Sequence, residues 1–231
     1  MYLGVIKLHN FPSTNKPIFT KSFVMQFIVL ADEVSREEFA TKKISPGTQI
    51  IFVNDIFQAQ NYRSANAIFL LKDEWENLDA NIFGTKPVFI NSTIKTLSEQ
   101  NLPENFIRIN GWPSFLKREV WEVATAGKNL VKDIFESSGF KFIHVADTPG
   151  LVAARVICMI INEAYFALGD GVSSKEEIDL AMKLGTNYPY GPFEWCLKIG
   201  IKNVYSLLEK LSKTESRYNI APALKNEFKN S

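Results

Sequence analysis

At Ala146-Asp147 the spacing of apolar residues changes, and that change limits what this chain can fold into. Before it, short apolar runs are separated by turn-forming stretches: Tyr2–Leu8, Phe23–Leu30, Gln49–Val53, Ala67–Leu71, Pro87–Asn91 and Phe106–Ile109. Several are continuously apolar and rich in Ile, Val and Phe, as strands covered on both faces are. Helices are predicted over Ser35–Thr41, capped by Ser35 with Glu38 three residues on, and over Glu119–Ser137, ended by Gly139. Alternating strands and helices predict an α/β layer with a largely parallel sheet. From Asp147 the pattern is helical. Val152, Val156, Ile160 and Ala164 recur at helical spacing in a run that Pro149-Gly150 opens and that reaches Leu168. Ser173-x-x-Glu176 predicts a capping box for a helix over Lys175–Leu184. Gly191-Pro192 opens a third helix, and Asn203–Leu211 forms a fourth. The expected organisation is an α/β domain over 1–146 and an all-α domain over 147–231.

Charge excludes one class of partner. The net charge is +1, with 16 basic against 15 acidic residues before Asp147 and 10 against 10 from it onward. Neither part has the basic surplus of a nucleic-acid binder. No apolar run approaches the roughly 20 residues of a membrane span. The N-terminus lacks the charged start and long apolar core of a signal peptide. Cys158 and Cys196 sit in apolar helical patterns and are expected to pack rather than bridge, which suits a reducing cytoplasm. No Cys/His cluster has metal-ligand spacing, so no metal site is expected.

Several motifs follow one another in the second part: Asp147-Thr-Pro-Gly-Leu-Val-Ala-Ala-Arg155, Gly169-Asp-Gly-Val-Ser-Ser-Lys-Glu-Glu-Ile-Asp179, Asp179-Leu-Ala-Met-Lys-Leu-Gly185, Tyr188-Pro-Tyr-Gly-Pro-Phe-Glu194 and Tyr218-x-x-Ala-Pro222. Together they resemble the helical C-terminal domain of 3-hydroxyacyl-CoA dehydrogenases, from about Glu122 to Leu224. A thinner likeness runs upstream through Ala67–Glu74, Val88–Leu97, Ile109–Phe115 and Val120–Val123. The resemblance implies a Rossmann-like NAD-binding-type domain over 1–146. It also implies a helical domain over 147–231 that dimerises and forms one wall of an acyl-CoA cleft. The implied chemistry is hydride exchange between C3 of an acyl-CoA and a nicotinamide, with a His taking the hydroxyl proton and a Glu twelve residues on holding the imidazole.

The residues at those positions depart from the family. Asn110 stands where the family has its His, and Glu122 keeps the acid's place. An amide donates and accepts hydrogen bonds but does not titrate. Losing a positioned base removes about 10²- to 10⁴-fold of rate. Lys95 stands at the family's Ser, Ala154 at its Asn and Leu151 at its Phe. No Gly-x-Gly-x-x-Gly occurs, and the first 60 residues hold only Gly4 and Gly47. A pyrophosphate therefore has no glycine-rich turn to approach. No cofactor is expected, and the first βαβ unit is expected to be deleted or rebuilt in an N-terminally shortened member. His9 and His144 do not align with the missing base.

Three readings of these residues stand. In the first, the chain is a pseudoenzyme candidate with lost or strongly altered oxidoreductase activity that still binds an acyl-CoA or another small ligand. In the second, it is an active NAD-dependent dehydrogenase of fatty-acid metabolism using a non-standard base. In the third, it is a subunit with an assembly role. A homodimer through the helical domain is expected. The structural counterpart for Glu122 is a carboxylate favourable to a helix start; for Phe193 and Trp195 it is core packing.

Overall fold

The computed structural model describes residues 25–62, 64–72, 75 and 78–231. The expected strand Tyr2–Leu8, with Gly4 and His9, lies outside them. The α/β part runs β1 (Met25–Leu30), α1 (Glu33–Ala40), β2 (Thr48–Val53), α2 (Ile56–Asn61), β3 (Ala67–Leu70), β4 (Val88–Asn91), β5 (Phe106–Ile109), β6 (Val120–Ala124), α3 (Lys128–Ser138) and β7 (Lys141–His144). These strands form a seven-stranded sheet in the order β2-β1-β3-β4-β5-β6-β7. All neighbours are parallel except β5 and β6.

The continuous apolar runs are explained by a sheet covered on both faces. Phe27 and Val29 enter one core with Phe39, Phe69 and Trp121, while Ile28 and Leu30 enter the other with Val53, Ile68 and Leu70. Alternate residues of one strand thus bury on opposite sides. The first core is dense in aromatic rings. Phe69 stacks on Phe89 at 4.6 Å, and Phe135 packs on Phe140 at 5.5 Å.

Four expectations change in detail. A parallel βαβ unit, where one was expected to be deleted or rebuilt, is present as β1-α1-β2. Helix α1 is capped by Asp32, whose Oδ1 accepts the Ser35 N–H at 2.7 Å, while Ser35 itself is buried. The long helix expected over 119–137 is a strand followed by a helix. Val120, Trp121, Val123 and Ala124 fit a helical count, yet β5 and β7 recruit them into the sheet, and Trp121 and Val123 bury there. The capping box lies one residue further along, between Ser174 and Glu177, because both registers carry a Ser-x-x-Glu.

The helical part comprises α4 (Ala153–Gly169), α5 (Lys175–Thr186), α6 (Pro192–Ile199), α7 (Ile201–Ser212) and α8 (Pro222–Asn230). Ile157, Cys158 and Ile161 of α4 bury against Trp195, Val204 and Leu208. Both cysteines are free thiols in this core, and burial raises both, Cys196 to about 11. The Asp179 carboxylate of α5 accepts the N–H groups of Phe193 and Glu194 and so caps α6. That cap needs Gly191, where a Cβ would lie 2.3 Å from Asp179 Oδ1.

Two features join sheet and helices. Trp112 and Phe115, from the loop after β5, belong to the helical core. Arg108 of β5, whose side chain has no exposure, bonds the Asp147 carboxylate at 2.5 Å. Its remaining donors reach the carbonyls of Ser92, Thr93 and Thr148. No described helix is long and apolar enough to cross a membrane.

Candidate active site

Strand β5 ends at Ile109 and leaves Asn110 at its C-terminal edge. Asn110 is 8% exposed. Its Oδ1 accepts the Trp112 N–H at 3.2 Å and the Thr93 hydroxyl at 3.3 Å. A backbone N–H can only donate, so this contact fixes which end of the amide is oxygen. Asn110 Nδ2 is buried and has no acceptor among the described residues. The antiparallel β5–β6 pairing brings Glu122 to the same region. Asn110 and Glu122 line one cavity of about 200 Å³ with Phe115, Arg118, Val120, Trp121 and Ile143.

The carboxylate of Glu122 is already committed. Its Oε2 accepts the Val152 N–H at 3.0 Å, and its Oε1 the Ala153 N–H at 2.9 Å. Glu122 therefore caps a helix as its residue type allows, but the helix is α4, reached across the fold, because Glu122 itself lies mid-strand. Glu122→Ala is expected to lower stability by about 1 kcal/mol through the lost cap. Thermal unfolding of the two proteins checks this, and an unchanged midpoint would show the cap to be idle.

Helix α1 holds the loop that walls the cavity. Glu38 Oε1 accepts the Ser114 N–H at 2.5 Å, at a residue with φ of 76°. Lys42 Nζ donates to the Arg118 carbonyl and lies 4.9 Å from the Trp121 ring centroid. Partial burial lowers the Lys42 ammonium from 10.5 to about 8, with the Glu119 charge opposing. The unfolded chain thus binds more protons between those values, and this group's contribution to stability rises as pH increases from about 8 to 10.5. Lys42→Met is expected to flatten that rise, which urea melts at pH 8 and 10 would read. The Arg118 guanidinium lies 4.2 Å over the Phe115 ring and has no hydrogen-bond acceptor among the described residues. Desolvation lowers it, with Glu122 opposing.

The other sequence candidates do not join this cavity. Lys95 is exposed and lines a separate cavity of about 500 Å³ with Trp75, Leu78, Glu99 and Lys210. Ala154 is buried in the helical core. His144 is an exposed residue of β7 with its ring against Phe142. The residues not singled out in advance are Arg118, Thr93, Trp112 and Asp32. Nothing in Lys117-Arg118-Glu119 separates it from a solvated charge run, and Thr93 meets Asn110 only through the pairing of β4 with β5.

A nucleotide would be expected where β1, flanked by β2 and β3, marks the switch point of the sheet. The residues present do not fit a diphosphate. Asp32 already spends its carboxylate on the α1 N-terminus, and Glu33 follows in the first turn. Two negative charges occupy the place where backbone N–H groups would meet phosphate.

The family model described as 3-hydroxyacyl-CoA dehydrogenase, C-terminal domain, matches residues 150–231. Residues 150–231 are thus a domain of the 3-hydroxyacyl-CoA dehydrogenase family. A 3-hydroxyadipyl-CoA dehydrogenase of Escherichia coli K12 is 45% identical over 85 residues, 36% of this chain and 18% of that protein. A probable 3-hydroxybutyryl-CoA dehydrogenase of Bacillus subtilis is 37% identical over 101 residues, 43% of this chain and 35% of that protein. The chain thus spans about a third or less of these relatives' length in sequence. In fold the likeness extends further. The crystal structure of (S)-3-hydroxybutyryl-CoA dehydrogenase from Ralstonia eutropha superposes with a TM-score of 0.69 over 90% of this chain and 94% of that one, at 18% identity.

The motifs that carry the 3-hydroxyacyl-CoA dehydrogenase likeness do structural work here. Asp147 pairs with Arg108, and Arg155 donates to the Tyr218 hydroxyl at 2.7 Å with Glu215 at 3.5 Å. Gly150 has φ of 81°, and a Cβ there would lie 2.5 Å from Arg155 Cγ.

Proposed function

We propose that this 3-hydroxyacyl-CoA dehydrogenase-family protein has lost or strongly altered oxidoreductase activity and retains binding of an acyl-CoA or another small ligand. The observation that carries the reading is the pinned Asn110 amide, whose oxygen is occupied by Trp112 and Thr93. A side chain that cannot titrate stands at the family's base position. Glu122, its partner at the family's spacing, is spent on capping α4. Asp32 and Glu33 weigh against binding of a dinucleotide at the N-terminus of α1. The roles of Asn110, Glu122, Lys95 and Ala154 as substituted family site positions are part of this proposal, as is the division into 1–146 and 147–231.

The test is oxidation of NADH with short and medium 3-oxoacyl-CoAs, run beside an active relative. Turnover at least about 10²-fold below the relative is expected. Asn110→His alone is expected not to restore it, because the acidic turn after β1 is unchanged. Turnover near the relative's rate in the unmodified protein would reject the proposal. It would favour the second reading, an active NAD-dependent enzyme of fatty-acid metabolism, to which the dehydrogenase names of the relatives lend weight.

We also propose a homodimer through the helical domain, in a cytoplasmic setting that keeps Cys158 and Cys196 reduced. Val152, which precedes α4, and Val156 within it are each about half exposed, and with Met159 and Ile160 they line an apolar groove of about 550 Å³. An apolar helix stripe of this kind suits a partner helix. Sedimentation at micromolar concentration should show a dimer, and a monomer there would remove this part.

A further inference from the structure

The cavity over β6 and β7, walled by the loop that leaves β5, contains a buried donor without an acceptor. Asn110, 92% buried, keeps both N–H bonds of Nδ2 unpaired, and the Trp112 N–H prevents the amide from turning over to relieve this. Such a group left unsatisfied is costly, and native structures seldom keep one without a use. A second donor lines the same cavity. Arg118, an exposed residue, holds its guanidinium over Phe115 at the open side of the cavity, where water meets its N–H groups and a ligand can replace that water. The cavity's one carboxylate, Glu122, is spent on the N–H groups of Val152 and Ala153. The remaining walls are Phe115, Val120, Trp121 and Ile143, and Val120 (42% exposed) and Ile143 (50%) leave a mouth to solvent.

We propose that this cavity is a binding site for a short apolar carboxylate. It rests on the reading above that the site binds rather than reduces its ligand. A carboxylate supplies an acceptor to the unpaired Asn110 amide and a counter-charge to Arg118, which line the same cavity. The apolar tail lies against the aromatic and aliphatic walls. At about 30 Å³ per water-sized group, a volume of about 200 Å³ holds a molecule of about six non-hydrogen atoms. Glu122 repels an anion, but its charge faces Arg118 and the N-terminus of α4, both positive.

The experiment is calorimetric titration of the full chain with acetate, butyrate, hexanoate and octanoate at constant ionic strength. Butyramide and 1-butanol serve as uncharged counterparts. Butyrate is expected to bind more tightly than either. Asn110→Asp keeps the oxygen that Trp112 and Thr93 bond and replaces the donor by a second oxygen. Arg118→Met, at an exposed position, removes the cation and keeps the fold testable if the first variant does not fold. Each is expected to weaken butyrate by about tenfold or more. Affinity that levels at butyrate identifies a free short acid, and affinity that keeps rising to octanoate identifies the acid end of a longer molecule; both sustain the assignment. Butyrate binding no better than butyramide, or unchanged in both variants, overturns it. NADH turnover reads the functional proposal separately, since an active enzyme can bind butyrate and an inactive one can fail to.

Discussion

Asp147→Ala is expected to destabilise this protein by about 3 kcal/mol, measured as the free energy of urea unfolding. The carboxylate is the counter-charge of Arg108, whose side chain has no exposure, while Asp147 keeps 28% of its own. It also accepts the Leu97 N–H at 3.0 Å and the Ser98 N–H at 3.4 Å. Removing it leaves a guanidinium that remains charged in a place water does not reach, together with two backbone donors. The residual exposure of Asp147 sets the effect at the lower end for broken buried pairs. Asp147→Asn, which keeps an acceptor for the two N–H groups and loses the charge, should fall between. A loss below about 1 kcal/mol for the alanine variant would show that solvent compensates Arg108 and that the pair does not hold the sheet to the helices.

Trp112→Ala should cost about 3–5 kcal/mol, the range for emptying a large buried aromatic site. Trp112 is 2% exposed and leaves the α/β part to pack in the helical core, where Phe115 of the same loop meets Trp195 at 5.6 Å. The variant removes contacts between two parts as well as volume within one. Calorimetric melting is therefore expected to show the transition at lower temperature and with less cooperativity. A loss within 1 kcal/mol with an unchanged transition would mean that the Arg108–Asp147 pair suffices to join the parts. The same loop carries Asn110, so ligand binding at the cavity should weaken with it.

The strands were legible where burial on both faces wrote itself as unbroken apolar residues, as in Ala67–Leu70 and Val88-Phe89-Ile90. The helices of the second part were legible from spacing and from caps such as Gly191-Pro192. Strand β6 was not. Val120-Trp121-Glu122-Val123 satisfies a helical count as well as a strand count, and only pairing with β5 and β7 decides between them. The cap of α1 was misread because Asp32 and Ser35 are both good caps, and burial of Ser35 settles which one serves.

The candidate site divides in the same way. The substitution of a non-titrating amide at position 110, the retained carboxylate at 122 and the missing glycine-rich turn are facts of residue identity. They bear on proton transfer and phosphate binding whatever the fold, because those abilities reside in single side chains and in a local backbone shape. What Asn110 and Glu122 do with their hydrogen bonds depends on neighbours far along the chain: Thr93 from the end of β4 and Ala153 from α4. A hydrogen bond needs its partner within about 3 Å, and only the packed tertiary structure supplies that distance.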